Sequence, residues 1–168
     1  LYPATEVILK SLESYQVKGL FFVNGDADRG LMREIHAAGH VLGNHFYSHK
    51  YYTGLKWKVI FESLAKTNDI IGSITGKKTD YFRPTYGRPF IGINSLTSGL
   101  GLQTVMWSLL SWDFKYDTRK VTSIIQSYIR PDSIIVFHNN NKVPGNMKET
   151  LSFTMDEIEK NGYSCGRV

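Results

Sequence analysis

The sequence predicts an α/β fold, in which parallel strands alternate with helices in about six βα units. Short, continuously apolar segments such as 19–23 and 133–137 have the composition of strands buried on both faces. Segments with helical apolar spacing lie between them and end at turn residues. This alternation is typical of a barrel-like (β/α) fold or of an open doubly wound sheet. The length of 168 residues suits a single domain over residues 1–168.

Six segments have the apolar periodicity of helices. Val7, Ile8 and Leu12 form one apolar face of the first helix, and Leu64 and Ile71 share a face of the third. Glycine commonly ends a helix in the left-handed conformation, and Thr is a good N-cap. The predicted helices cover 5–15, 29–38 (ended by Gly39), 54–71 (ended by Gly72 and Gly76), 92–99, 119–129 (begun by Thr118) and 147–160.

The strands predicted between these helices are short and apolar. They cover 19–23, 41–43, 81–82, 104–107, 133–137 and 163–168. In a parallel sheet covered by helices, ligands and catalytic groups collect at the carboxyl ends of the strands. The residues that follow each strand are therefore the first place to look for chemistry.

Composition excludes several classes of protein. Hydrophobic residues make up 42% of the chain, enough for a core, and no apolar run approaches the length of about 20 residues that spans a membrane. The net charge is +5, but the basic residues are scattered and the densest group is Lys77-Lys78. A solvated basic surface is therefore favoured over a nucleic-acid partner.

The single cysteine limits the metal chemistry that is available. Cys165 cannot form an intrachain disulfide or a cysteine-based zinc site, so a metal would need histidine and carboxylate ligands. Its position near the end of an apolar stretch predicts an inert, packed thiol.

Polar and ionisable residues follow four successive predicted strands. The segments read GNHFYSH at 43–49, RPTYG at 83–87, WSLLSWDF at 107–114 and HNNN at 138–141. Because carboxyl ends of parallel strands meet at one edge of a sheet, these residues are expected to form one convergent site.

His45 and His49 are four residues apart, the spacing that brings two imidazoles to one face of a helical turn and suits a metal. Such pairs often bind nothing, so the spacing alone leaves both interpretations open. His36 and His40 have the same spacing, but Gly39 lies between them, which indicates surface or supporting roles. Neither pair encloses a Glu, so the zincin protease motif is not matched.

Three further residues have both a structural and a catalytic interpretation. His138 follows an apolar strand, where it is either a satisfied core histidine or a general acid or base at a pocket rim. Asp113 could pair with such a histidine and fix its tautomer. Arg83 precedes a proline that holds it extended, from where it could orient a carboxylate.

Taken in chain order, these segments resemble the motifs of the polysaccharide deacetylases of the NodB-homology group, carbohydrate esterase family four. The second family motif, commonly N-H-T-Y-S-H, corresponds to 44–49. The third, often R-P-P-Y-G, corresponds to 83–87, and the fourth, often W-S-x-D-S-x-D-W, to 107–114. The fifth, L-x-H, corresponds to 136–138, and 20–23 is similar to the strand that the family writes A-T-F-F-V. The resemblance covers essentially the whole chain.

The resemblance implies a distorted (β/α) barrel with about six to seven parallel strands, the N-terminal strand of which is missing. It also implies that His45 and His49 are two ligands of a divalent metal, most commonly zinc, which activates water for attack on an acetyl carbonyl. The backbone N–H of Tyr86 would stabilise the oxyanion, and Arg83 would orient the catalytic base.

The same resemblance assigns roles near the end of the chain. His138 would protonate the leaving amine, and Asp113 would tune it. Val136, Phe114 and Trp107 would line the substrate pocket.

The chain departs from the family pattern at its start. The first motif, T-F-D-D-G, supplies the base and the third metal ligand and is expected just before Leu1, because Thr5 matches the Thr that opens the first helix. Asp26 and Asp28 are the only near substitutes. Residues 1–168 alone are therefore expected to be inactive and weakly metal-bound.

Smaller departures fall in the other motifs. Leu110 replaces an Asp and Phe114 a Trp in the fourth motif, and Asn139 stands where a carboxylate often follows the histidine. These changes would alter pocket shape and the environment of His138 without removing a group that acts directly.

The resemblance predicts metal-dependent hydrolytic deacetylation of N-acetyl or O-acetyl groups on polysaccharides such as peptidoglycan or chitin-like chains. A secreted, periplasmic or cell-envelope location is expected by the same analogy. The alternative is a catalytically silent carbohydrate-binding member of the fold, and a third reading is an unrelated α/β domain with chance motifs.

Overall fold

The computed structural model describes residues 3–139 and 145–166. The chain divides into two compact units: the first is Lys18–Met106, and the second combines Leu1–Val17 with Trp107–Val168. The elements, in chain order, are α1 (Pro3–Ser14), β1 (Leu20–Val23), α2 (Arg29–Ala37), β2 (Val41–Asn44), α3 (Trp57–Thr75), β3 (Tyr81–Phe82), a 3₁₀ turn (Thr85–Gly87), α4 (Ile93–Gly99), β4 (Gln103–Thr104), β5 (Leu109–Leu110), α5 (Thr118–Tyr128), β6 (Ile135–Val136) and α6 (Met147–Lys160).

The first unit contains a parallel sheet with the strand order β1-β2-β3-β4. Asn44, the last residue of β2, pairs with Val23 on one side and with Phe82 on the other. The residues that follow these strands, His45 and Arg83 among them, therefore leave the sheet at the same edge.

The core of the first unit lies under this edge. Phe46 is 1% exposed, stacks on Tyr52 at 3.9 Å and meets Phe82 edge-on at 4.9 Å between ring centroids. The same cluster contains Ile60, Leu64, Ile93 and Leu102. Gly43 has no room for a side chain, because a Cβ there would lie 2.6 Å from the ring of Phe22. The loop after β2 is thus anchored by an aromatic side chain in the core.

His40 holds the opposite end of β2. It is 3% exposed, and its Nδ1 accepts a hydrogen bond of 3.0 Å from the backbone N–H of Gly19. Burial, followed by the charge of Lys18, lowers the pKa of His40 below its usual value. His36 is exposed on α2. The exposed position of His36 and the supporting hydrogen bond of His40 both agree with the surface or supporting roles predicted for these two histidines.

The second unit contains the parallel pair β5-β6, with helices packed against one another. α6 packs against both α1 and α5. Buried apolar residues of this unit include Val121 and Ile125 of α5 and Leu151 of α6. The predicted α/β class with parallel strands is therefore confirmed in both units. The described residues contain no helix long and apolar enough to cross a membrane.

Several predicted boundaries were wrong. α3 continues through Gly72 to Thr75, where the left-handed Gly76 ends it. The strand predicted at 104–107 is Gln103–Thr104, and β5 is a separate strand at Leu109–Leu110. Residues 163–166 form no strand, and 167–168 lie outside the described residues.

Two residue-level expectations also fail. The N-cap of α5 is Asp117, whose side chain accepts from the N–H of Lys120 at 2.9 Å, and Thr118 is the first helical residue. A carboxylate cap also complements the positive end of the helix dipole. Cys165 is exposed, so the predicted packed thiol is wrong.

Candidate active site

His45 and His49 lie close together in the segment after β2. Their ring centroids are 5.3 Å apart. The segment is not the helical turn that their spacing suggested, because residues 45–46 are irregular, residues 47–50 form bends and Phe46 has a φ of +63°. The two imidazoles are brought together by loop geometry.

Two asparagines, the buried Asn44 and the half-buried Asn24, hold this loop in place. The Asn44 Oδ1 accepts from the N–H of Phe46 at 2.9 Å, while its Nδ2 donates to the carbonyl of Leu64 at 2.9 Å. Asn24, at the end of β1, donates to the carbonyl of His45 at 2.6 Å. These positioning roles were not predicted from the sequence, although an asparagine at the end of an apolar strand was a signal for them.

The ring of His45 has a fixed tautomer. Its Nδ1 lies 2.6 Å from the backbone carbonyl oxygen of Arg83, and a carbonyl oxygen can only accept, so Nδ1 carries the proton. The lone pair of the neutral ring is therefore on Nε2. Histidines that bind metals are oriented in this way by a carbonyl or carboxylate.

Arg83 is held by the segment that follows β4 and by an aromatic ring. Its Nε donates to the carbonyl of Val105 at 2.9 Å and a terminal nitrogen donates to the carbonyl of Met106 at 3.2 Å. The guanidinium carbon lies 4.2 Å from the centroid of Phe22, a cation–π contact. Burial lowers the pKa of Arg83 to about 10, which still leaves it cationic at neutral pH.

Tyr86 lies beside His49 in a strained turn. Its φ is +58°, a conformation that non-glycine residues adopt rarely and mostly at functional sites. Its ring meets that of His49 at 4.6 Å, and its hydroxyl is 3.5 Å from the His49 carbonyl. Thr85 ties the turn to the loop by donating to the carbonyl of Lys50 at 2.5 Å. The first unit thus brings together His45, His49, Arg83 and Tyr86.

The two histidines carry imidazole nitrogens of the kind that bind divalent metals. Within residues 3–139 and 145–166, no group of three histidine, cysteine or carboxylate residues could hold a metal. Asp28 is engaged as the N-cap of α2, where it accepts from the N–H of Leu31 at 2.7 Å, and Asp26 is exposed. Neither carboxylate completes the pair as a third ligand.

Asp113 and His138 form a hydrogen-bonded pair in the second unit. His138 donates to Asp113 twice, from its backbone N–H to Oδ2 at 2.6 Å and from Nδ1 to Oδ1 at 2.7 Å. Asp113 is 2% exposed, and the Ser111 hydroxyl adds a bond of 3.0 Å to Oδ1. A buried carboxylate in this position fixes the orientation of the ring and places a proton on Nδ1.

Apolar residues surround this pair. The ring of Phe114 meets that of His138 edge-on at 4.7 Å, and Val136 is buried two residues before it. Asn139 donates to Thr5, which is buried in α1. Trp107 is half-buried, and its assignment to the substrate pocket stays a prediction.

Comparison with known proteins identifies the family. Residues 2–105 match the polysaccharide deacetylase family, and the chain belongs to it. The predicted NodB-homology fold is confirmed, because solved structures of the family superpose on nearly the whole chain with TM-scores up to 0.90.

One similar protein is the peptidoglycan-N-acetylmuramic acid deacetylase PdaA of Bacillus subtilis, 29% identical over 95% of this chain and 63% of its own length. A CE4 family pseudoenzyme from Bacillus anthracis superposes with a TM-score of 0.88 at 24% identity, over 96% of this chain and 57% of that one. A mutant of that pseudoenzyme is described with restored enzymatic activity.

A family 4 acetyl xylan esterase from Clostridium thermocellum, solved with a cobalt ion, superposes with a TM-score of 0.84 at 24% identity, over 96% of this chain and 80% of that one. The chain spans 51% to 63% of the length of the curated bacterial relatives PdaA and YlxY, both of Bacillus subtilis.

Proposed function

We propose that the protein is a metal-dependent deacetylase that hydrolyses N-acetyl or O-acetyl groups on a polysaccharide such as peptidoglycan or a chitin-like chain. The observation that carries this proposal is the His45–His49 pair, in which the Nδ1–H of His45 donates to the carbonyl of Arg83. This arrangement presents the Nε2 lone pair of His45 for a metal, as in known metal sites. Membership of the deacetylase family supports the same function.

The metal would be held by His45 and His49, and zinc is the metal proposed. When bound, it would polarise an acetyl carbonyl and lower the pKa of water. A relative solved in complex with a cobalt ion supports a metal cofactor. Tyr86 would stabilise the developing oxyanion through its backbone N–H, and Arg83 would orient the carboxylate that acts as base.

His138 would act as the general acid. Oxygen from water bonds to the acetyl carbon, the bond from that carbon to the sugar nitrogen breaks, and the nitrogen must gain a proton. Because Nδ1 of His138 is bonded to Asp113, the protonated ring delivers this proton from Nε2. The products are acetate and a free amine. Phe114, Val136 and Trp107 would enclose the acetyl group.

A catalytically silent, carbohydrate-binding protein of the same fold is the second candidate. Two observations favour it: the described residues supply only two metal ligands, and a pseudoenzyme is among the similar structures. A secreted, periplasmic or cell-envelope location would suit either function, because the polymers named in the relatives are found outside the cytoplasm.

Acetate release from N-acetylated peptidoglycan and from chitin oligomers tests the proposal. The full-length polypeptide is assayed after chelation and after zinc is restored, beside His138→Ala and His36→Ala. We expect zinc-dependent release that falls about 10²–10⁴-fold in His138→Ala, while the exposed His36 serves as the matched control. If the protein releases no acetate either with or without zinc but still binds the glycan, the catalytically silent candidate is favoured.

A further inference from the structure

A ladder of stacked side chains leads away from His49. Its ring meets Tyr86 at 4.6 Å, and Tyr86 stacks on Tyr51 at 4.2 Å with only 17° between the ring planes. The guanidinium of Arg88 lies 5.2 Å from the centroid of Tyr51. We call Tyr86, Tyr51 and Arg88 the Tyr–Arg ladder. It links a positive charge to the candidate metal ligand through direct contacts.

The ladder lies outside the core, on the surface of the first unit. Tyr51 is 53% exposed and Tyr86 47%, while the adjacent Tyr52 is 3% exposed and packs in the core. Core packing therefore explains why an aromatic residue stands at Tyr52, but it does not explain the one at Tyr51. Exposed aromatic rings held in a fixed stack beside a candidate site are typical of a binding surface.

The backbone under the ladder is fixed by local hydrogen bonds. The N–H of Arg88 donates to the carbonyl of Thr85 at 3.3 Å, and the N–H of Gly87 donates to that of Pro84 at 3.1 Å. Thr85 is in turn bonded to the carbonyl of Lys50, next to Tyr51. Because the backbone beside both Tyr86 and Tyr51 is anchored, little conformational entropy is lost when a ligand binds there.

Arg88 has the chemistry of an anion site. It is exposed, and across residues 3–139 and 145–166 no carboxylate forms an ion pair with it. Lys50 precedes Tyr51 and places its ammonium 5.4 Å from the centroid of Tyr52, and the chain as a whole carries a net charge of +5. A guanidinium stacked on an aromatic ring keeps its edge N–H groups available for the bidentate contact that suits a carboxylate.

We infer that the Tyr–Arg ladder binds a carboxylate of the substrate through Arg88, so that the preferred substrate is an acidic N-acetylated glycan rather than a neutral one. This inference rests on the proposed function and narrows its substrate class. The carboxylate could belong to the sugar itself or to a peptide attached to it, and both present the same chemistry to Arg88.

The test uses three glycans built on one backbone. The first is a peptide-free glycan of alternating N-acetylglucosamine and N-acetylmuramic acid, which carries sugar carboxylates. The second is the same glycan after those carboxylates are converted to methylamides. The third carries stem peptides. The zinc-loaded full-length protein is measured with each for KM and kcat, and for affinity by calorimetry.

Arg88→Ala is expected to raise the KM for the first or third glycan about 5–20-fold, with kcat changed less than about twofold and no effect on the methylamide. Which acidic glycan responds identifies the source of the carboxylate. Arg88→Lys should recover only part of the loss, because an ammonium lacks the planar fork. Arg33→Ala, which removes an exposed arginine from α2, is the matched control.

Tyr51 supplies an independent check. Tyr51→Phe keeps the ring under Arg88 and should leave KM unchanged, whereas Tyr51→Ala should reproduce the effect of Arg88→Ala. Equal affinity of the wild-type protein for the acidic and methylamide glycans would overturn the inference, even if the deacetylase activity is present. If no glycan releases acetate but calorimetry still shows a carboxylate preference that Arg88→Ala removes, the inference stands and the proposed activity fails.

Discussion

Replacing Asp113 with Asn gives the sharpest test of the pair in the second unit. The carboxylate accepts from the backbone N–H of His138 at 2.6 Å, from its Nδ1 at 2.7 Å and from the hydroxyl of Ser111 at 3.0 Å. An amide has a single acceptor oxygen. If its NH₂ faced the backbone N–H, two donors would clash, so the amide oxygen should keep that bond.

The amide NH₂ then faces Nδ1 of His138, which must accept, and the ring is forced to carry its proton on Nε2. Loss of one charge-assisted hydrogen bond in a buried site costs about 1–3 kcal/mol of stability. The ring is then no longer held in the wild-type tautomer, with Nδ1–H bonded to a carboxylate. We therefore expect kcat for acetate release to fall about 10²–10⁴-fold.

Three measurements separate these effects: urea unfolding, acetate release, and nitrogen NMR of the His138 ring. Ser111→Ala is the control, because it removes the third bond to Asp113 and leaves the contacts with His138 intact. A ring of His138 in Asp113→Asn that still carries its proton on Nδ1, or a kcat within about threefold of wild type, would refute the reasoning.

Four further predictions follow from the first unit. His45→Ala should abolish zinc binding, and retention of stoichiometric zinc in a titration would contradict its role as a ligand. Gly43→Ala should lower the free energy of unfolding by about 1–3 kcal/mol, since the new Cβ would lie 2.6 Å from the ring of Phe22; an unchanged urea midpoint would show that the ring moves freely. Leu64→Ala, at a site 0% exposed, should cost about 2–5 kcal/mol in the same assay. Because burial lowers the pKa of His40, the unfolded protein binds more protons, so stability should fall as the pH drops below the ordinary histidine pKa of 6.5; His40→Gln should flatten that part of the pH profile.

The sequence alone determined the elements whose signals are local. Apolar runs and helical periodicity located β1, β3 and α6. A buried strand needs consecutive apolar residues and an amphipathic helix needs apolar residues at helical spacing, so both are visible in a short stretch of sequence. The order of the motifs from 44–49 to 136–138 determined the family, and it identified the histidines of both clusters. These features need no knowledge of what lies far away in the chain.

Tertiary structure decided how those residues are held. The i, i+4 spacing of His45 and His49 suggested a helix, yet a loop anchored by the buried Phe46 and by Asn44 brings the rings together. The tautomer of His45 depends on the carbonyl of Arg83, which lies 38 residues away.

The same holds for the Tyr–Arg ladder, since Tyr51 and Tyr86 are adjacent only in the folded chain. Contacts between residues distant in sequence leave no periodic signal, because their partners are set by strand order and register. Local sequence therefore determines which chemical groups are present, and the fold determines which atoms they meet.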